Sequence, residues 1–285
     1  EVIDWCIRER MIASERKCRV CDKNMDLVCK KRVNDGYMWR CRGRPNEREH
    51  DVSISVRNGS WFEGSRMSIC DILLITYYWF NRLPIKYILK NVKVTKETVV
   101  EWMRFCREVC MDICMNENNA IGGMNAIVEI YECKLGKRKY HRRRTIDGRW
   151  VFGGVERGTN RMFFRVVENR GKDTLLAIIK SSILPGTTII SDCWKTYDCL
   201  EDEEYRQLTV NHSLQFKDPE SGAHTNNIVR TWSAIKRQMS TNPRRGQLDG
   251  YLAEYMWRSA HPDKFREFLT AIKRIYNPDD VPLQS

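Results

Sequence analysis

Between residues 126 and 239 the apolar residues change period repeatedly, and the order of those changes constrains the fold more than any other feature of the chain. Ala126 to Tyr131, Trp150 to Glu156 and Arg161 to Val167 read as three successive strands joined by polar turns. Thr174 to Ile183 then reads as a helix, Thr187 to Ser191 as a buried strand and Trp194 to Leu200 as a helix. A short strand at Gln207 to Val210 and a helix from Asn226 to Met239 complete the series, which begins after the break at Gly122-Gly123.

Three strands, helix, strand, helix, strand, helix is the order of the RNase H-like nuclease fold. The residues before Gly122 follow other patterns, so the expected class is α+β multidomain. An N-terminal helix plus zinc ribbon is expected over 1–62, a helix-turn-helix-like helical region over 63–120 and an RNase H-like α/β domain over 121–260. A C-terminal helix and tail occupy 261–285.

In the first of these, Ile3, Cys6, Ile7 and Met11 lie close to helical spacing. Cys18 and Cys21 then form a C-x2-C pair, Leu27 to Arg40 reads as two strands around Asn34-Asp35-Gly36, and Cys41 follows Trp39-Arg40. This is the layout of a zinc ribbon, in which three thiolates and an imidazole make a tetrahedral site. His50 is the first candidate for the fourth ligand and Cys29 its rival. A metal of this kind would staple a segment too small to fold on its own core.

Ile69, Ile72, Leu73, Tyr77 and Phe80 predict a helix after Ser68, Pro84 opens a second through Leu89, and Thr95 is placed to cap a third running from Lys96 towards Cys114. With a tight turn at Asn91 to Val94 the trio resembles a helix-turn-helix. Its third helix would read DNA, with Lys93, Lys96 and Arg104 available to phosphates.

The 285 residues carry 49 Lys+Arg against 37 Asp+Glu, a formal charge of +12, which suits a polyanionic partner. Lys134, Lys137, Arg138, Lys139, Arg142, Arg143 and Arg144 crowd around Tyr140 and His141. Phosphate contacts explain such a run beside a cleft, with Tyr140 available for stacking, and Lys236-Arg237 and Arg244-Arg245 extend the track. The twelve cysteines are spread through a chain with no signal-peptide pattern and no long apolar run. A reducing compartment is therefore expected, nuclear in a eukaryote and otherwise cytoplasmic, with no membrane partner. Cys106, Cys110 and Cys114 read as helix packing.

Nucleases of the RNase H-like fold cut phosphodiesters with two divalent ions held by carboxylates at the end of the sheet. The run Val128-Glu129-Ile130-Tyr131-Glu132-Cys133-Lys134-Leu135-Gly136-Lys137-Arg138-Lys139-Tyr140 resembles the first catalytic block of Merlin-type DDE transposases and their bacterial insertion-sequence relatives. Trp150 to Gly158, Leu184 to Lys195, Val210 to Ser213 and Gly222 to Asn226 resemble later blocks in the same order. In that family an aspartate stands where this chain has Tyr131, and an acidic residue where it has Val229. Asp192 matches the second aspartate, and His224 lies beside the catalytic helix.

The resemblance thus implies a transposase that keeps one of three metal-binding carboxylates. A phenol with a pKa of about 10 is a poor magnesium ligand and valine is none. Glu129 shares the Tyr131 face of its strand but sits about 6 to 7 Å away, and Glu132 should point to the opposite face. Asn226 precedes Val229 by nearly one helical turn, so its amide can approach the cleft without supplying charge. The expected function is a transposase-derived protein that binds double-stranded DNA without cutting it, with structural zinc and with self-association left open. Magnesium or manganese belongs to it only where catalysis is retained. The alternatives are an active transposase with substitute carboxylates and a protein-interaction scaffold.

Overall fold

The computed structural model describes residues 1–43, 49–116, 120–135, 148–192, 200–210, 223–239, 246–262 and 264–279. In chain order the described elements begin with α1 (Val2–Arg8), β1 (Asp26–Cys29), β2 (Tyr37–Arg42), β3 (Asp51–Ser55), α2 (Ile69–Phe80), α3 (Ile85–Asn91) and α4 (Lys96–Asn116). They continue with β4 (Ile121–Gly122), β5 (Ile127–Leu135), β6 (Arg149–Glu156), β7 (Met162–Val167), α5 (Lys172–Ser182), β8 (Ile183–Leu184), β9 (Thr188–Asp192) and β10 (Arg206–Val210). Three helices close the series: α6 (Asn226–Gln238), α7 (Leu248–Ala260) and α8 (Phe265–Ile275). Two compact units emerge, Glu1–Val109 with Asp263–Ser285, and Cys110–Pro262.

In the first unit, β1, β2 and β3 form an antiparallel sheet. The turn between β1 and β2 is tied down by a buried ion pair: Arg57 donates from Nε (2.6 Å) and Nη2 (2.5 Å) to the two oxygens of Asp35. Arg57 also donates to the carbonyls of Ser65 and Met67, so its charge is fully paired within the fold. The first helix ends at Arg8, before Met11, because the Arg10 N–H turns back to the Ile7 carbonyl and Arg10 adopts φ 53°.

The three expected helices are present as α2, α3 and α4. Ser68 caps α2 by accepting from the Asp71 N–H at 3.0 Å, and Thr95 accepts from the Thr98 N–H at the start of α4. Phe265 and Phe268 of α8 pack their rings against Tyr77, Trp79 and Phe80 of α2.

The second unit is built on a five-stranded mixed sheet of order β10-β9-β5-β6-β7. β5, β6 and β7 are antiparallel neighbours, while β9 runs parallel to both β5 and β10. This is the RNase H-like order and direction that the succession of elements predicts. A parallel pair, β4 and β8, flanks it. One face buries Val128, Ile130, Phe152 and Phe163 with Leu175 and Ile179 of α5. The other buries Cys133, Val151 and Phe164 with Ile228, Trp232 and Ile235 of α6 and Leu248 and Leu252 of α7.

The middle of β6 can lie close to β7 because Gly153 and Gly154 carry no side chain. A Cβ on Gly153 would meet Phe164 Cδ1 at 2.3 Å, and one on Gly154 would meet Phe163 Cε1 at 2.4 Å. The helix expected over Trp194 to Leu200 falls almost wholly in 193–199, outside the described residues.

Candidate functional site

The odd-numbered residues of β5 face α6, as strand pleating requires. Tyr131 packs partly buried against the Cys133, Ile228 and Trp232 cluster. β5 continues to Leu135, so Glu132 belongs to the opposite side of the pleat from Tyr131 and is buried there. The parallel register pairs Glu129 of β5 with Ile190 of β9, and two further residues along it bring Tyr131 level with Asp192. The two side chains feel each other: the Tyr131 phenol is raised above its ordinary pKa, first by burial, then by the negative charges of Asp192 and Glu132. Lys236 of α6 opposes that shift, so its ammonium bears on the same phenol. Val229 lies exposed on the first turn of α6.

One pleat before Tyr131, Glu129 is wholly buried, and its carboxylate is fully occupied. Oε1 accepts from Arg157 Nε at 2.7 Å and from Asn227 Nδ2 at 2.9 Å. Oε2 accepts from the backbone N–H groups of Asn227 at 2.8 Å and Ile228 at 3.0 Å. These are first-turn donors of α6, which the side chain of its N-cap residue Thr225 does not cap, so a carboxylate of β5 caps the helix in its place. Arg157 completes the bracket by donating from Nη2 to the His224 carbonyl at 2.6 Å, with the His224 Nδ1 3.0 Å from the same nitrogen. The same Nδ1 lies 3.5 Å from Glu129 Oε1, so the imidazole sits between the guanidinium and the carboxylate.

Of the residues expected in the site, Tyr131 in the middle of β5 and Asp192 at the end of β9 are brought level on adjacent strands, and His224 enters the Glu129 bracket. Asn226 is exposed, and the amide that engages the site is that of Asn227. Arg157 and Asn227 carried no local sequence signal, because their partner lies 28 and 98 residues away. Lys134 sits with its ammonium 5.8 Å from the centre of the Trp150 ring, whose face Arg170 also covers at 3.8 Å. Lys137, Arg138, Lys139, Arg142, Arg143, Arg144, Tyr140, His141, Arg244 and Arg245 lie outside the described residues. Lys96 is exposed at the start of α4, and Arg104 is paired with Glu108 of its own helix at 2.9 Å.

In the first unit, Cys18, Cys21, Cys41 and His50 place one ligand atom each within 4.8 Å of one another. The Cys21 and Cys41 sulfurs are 3.6 Å apart, and the Cys41 sulfur is 3.4 Å from His50 Nε2. A tetrahedral zinc with sulfur at about 2.3 Å and nitrogen at about 2.0 Å has ligand–ligand edges of about 3.5 to 3.8 Å. The four groups thus fit a metal such as zinc in donor type and spacing. Cys29, exposed on β1, is not among them. Burial raises the Cys18 thiol, but N–H groups of Val20 and Cys21 and the neighbouring thiols bring it down to about 7. Burial and its neighbours push Cys41 up to about 12. A cluster of thiols that cannot all ionise together is the environment a divalent cation relieves.

Residues 122–260 match the ISXO2-like transposase domain. An uncharacterized transposase-like protein of Haemophilus influenzae is 30% identical over 95 residues, 33% of this chain and 76% of that protein. Among solved structures, the HTLV-2 integrase catalytic core domain in complex with magnesium aligns at 13% identity and TM-score 0.31, over 47% of this chain and 84% of that one. The pre-cleavage Mos1 transpososome aligns at 11% identity and TM-score 0.25, over 73% and 78%. No described helix is long and apolar enough to cross a membrane.

Proposed function

The chain belongs to the ISXO2-like transposase family, and from that premise we propose that it is a DNA-binding protein of Merlin-type ancestry that no longer cuts DNA. One observation carries the reading: the middle of β5 sets Tyr131 beside Asp192, the last residue of β9, and the first turn of α6 presents Val229. Two-metal phosphoryl transfer needs several hard, anionic oxygens converging on the ions. A phenol held protonated and an isopropyl group do not supply them, so the donor set does not fit a magnesium or manganese pair.

The nearby carboxylates do not make good the deficit. All four of the hydrogen bonds that hold Glu129 would have to break for it to turn towards an ion, and Glu132 belongs to the other side of β5. Asp192 stands in this reading as the remaining member of a metal site, and His224 as part of the frame around it.

Binding then rests on the basic residues. Lys134 stands at the end of β5, with the cations from Lys137 to Arg144 following it in sequence, and Lys96 and Arg104 lie on α4. We assign zinc to Cys18, Cys21, Cys41 and His50, where it would hold β2 and the segment after Arg42 to the C-x2-C turn. When bound, it would supply cross-linking of a small sheet and no chemistry.

The test uses the full chain with labelled duplex DNA at low salt, in the presence of magnesium and then manganese. Retarded but intact DNA is the expected result. Strand cleavage that disappears in Asp192→Ala would overturn the reading.

A further inference from the structure

A run of uncompensated charge surrounds α3. From Asn81 to Lys96 the chain carries Arg82, Lys86, Lys90, Lys93 and Lys96 and no acidic residue. All five are exposed, and none takes part in an ion pair among the described residues. Some other surface cations have local partners: Arg104 pairs with Glu108, Lys180 with Glu203 and Lys264 with Glu267.

Within α3, Lys86 and Lys90 are one turn apart, so they leave the same side of the helix about 6 Å from one another along its axis. The buried residue of α3, Ile88, faces away from them. Tyr87 stands beside the two lysines with 46% of its surface exposed, and its ring is held edge-on to Tyr78 at 5.6 Å. An ordinary solvated helix face mixes signs at one-turn spacing and gains from it, whereas like charges at that spacing work against the helix. A seven-residue helix with one buried side chain is a poor place to carry that repulsion. An external polyanion relieves it.

We propose that α3, with Arg82 before it and Lys93 and Lys96 after it, is a phosphate-contact surface for the backbone of duplex DNA. This rests on the reading of the chain as a DNA-binding protein and adds which surface does the binding. The cations recur at intervals of four, four, three and three residues with no carboxylate among them to repel a phosphate. A membrane surface would call for exposed apolar groups among the cations, and Tyr87 offers a hydroxyl that can donate to a phosphate oxygen instead. Contacts of this kind anchor the protein without reading bases, so the affinity they provide is independent of sequence and sensitive to salt.

Fluorescence anisotropy of the full chain on duplexes of about 30 base pairs, between about 50 and 200 mM salt, tests this through the slope of log affinity against log salt. Each lost phosphate contact lowers that slope by about 0.9, so Lys86→Ala with Lys90→Ala is expected to lower it by about 1.8 on any sequence. Lys86→Arg with Lys90→Arg should keep the slope, and Lys180→Ala should leave it unchanged. Thermal melting of each variant is measured alongside, and Lys86→Gln with Lys90→Gln replaces the alanine pair if that pair melts early. An unchanged slope in a folded double variant, while the wild type binds DNA, overturns the proposal and leaves the DNA-binding reading in place. Wild-type protein that ignores DNA at the lowest salt overturns that reading itself. Selective loss of binding to phosphatidylserine vesicles, with DNA binding intact, would make α3 a membrane-facing surface and overturn the proposal.

Discussion

The carboxylate of Glu129 on β5 accepts both the backbone N–H of Asn227, at 2.8 Å, and its side-chain amide, at 2.9 Å, on the first turn of α6. Removing it leaves Arg157 and two helix N–H groups without their acceptor, inside the protein. Glu129→Ala should therefore cost about 3 to 5 kcal/mol, as breaking a buried pair does, measured by urea unfolding. Glu129→Gln keeps the volume and one acceptor oxygen, and about 1 to 3 kcal/mol is expected. A loss under about 0.5 kcal/mol for the alanine variant would show that the bracket does not hold α6.

The cluster in the first unit predicts a metal stoichiometry. Protein purified without chelator should contain one equivalent of zinc, and Cys18→Ser, Cys21→Ser, Cys41→Ser or His50→Ala should each reduce it. Cys29→Ser should leave it unchanged, since that thiol lies outside the cluster. Chelation should lower the melting temperature of the first unit, because metal-binding free energy in so small a sheet is folding free energy. Elemental analysis and a melting curve check both points.

Tyr131 makes a prediction at alkaline pH. Its phenol is raised above 10 in the folded protein, so the folded state favours the protonated form. The stability this provides is complete below the unfolded value of about 10 and is lost as pH rises through the folded value. Tyr131→Phe cannot ionise and should lose less stability than wild type on going from neutral pH to above about 10. Equal alkaline losses in the two proteins would contradict the assignment.

Gly153 tests the packing of β6 on β7. A methyl group there falls 2.3 Å from the ring of Phe164, which is buried against Trp232. Gly153→Ala should cost about 1 to 3 kcal/mol through overpacking. A neutral result in the same unfolding assay would mean that the Phe164 ring has room to move.

The parts of this fold that could be read from sequence are those fixed by local pattern. The alternation through Val128 and Ile130 marked β5, the run at Ile189 and Ile190 marked β9, and the spacing of Ile228, Trp232 and Ile235 marked α6. β3 and α7 were not anticipated: Asp51–Ser55 is a short strand whose pattern shows only once it pairs with β2, and Leu248–Ala260 buries Gly250 and Arg258 along with its apolar residues. In the site, Tyr131 and Asp192 were legible as motif positions. Glu129 is legible as a carboxylate on the Tyr131 face about 6 to 7 Å away, whereas its partners, at the ends of other elements, are not. Nothing within a few residues of Glu129 announces that its acceptors will be used by Asn227 and Ile228, because that pairing exists only after the sheet and helix have met.

The anchoring of α6 by a protein carboxylate has a consequence for how such a chain changes over time. Where two elements are joined through a shared ion, losing a ligand loosens the join, and folding itself selects against the change. Here the join is made by Glu129 and Arg157, one pleat below the position that faces Asp192. Neither residue 131 nor residue 229 supplies an atom to that join. The groups that hold the helix and the positions that would hold an ion are separate sets of side chains.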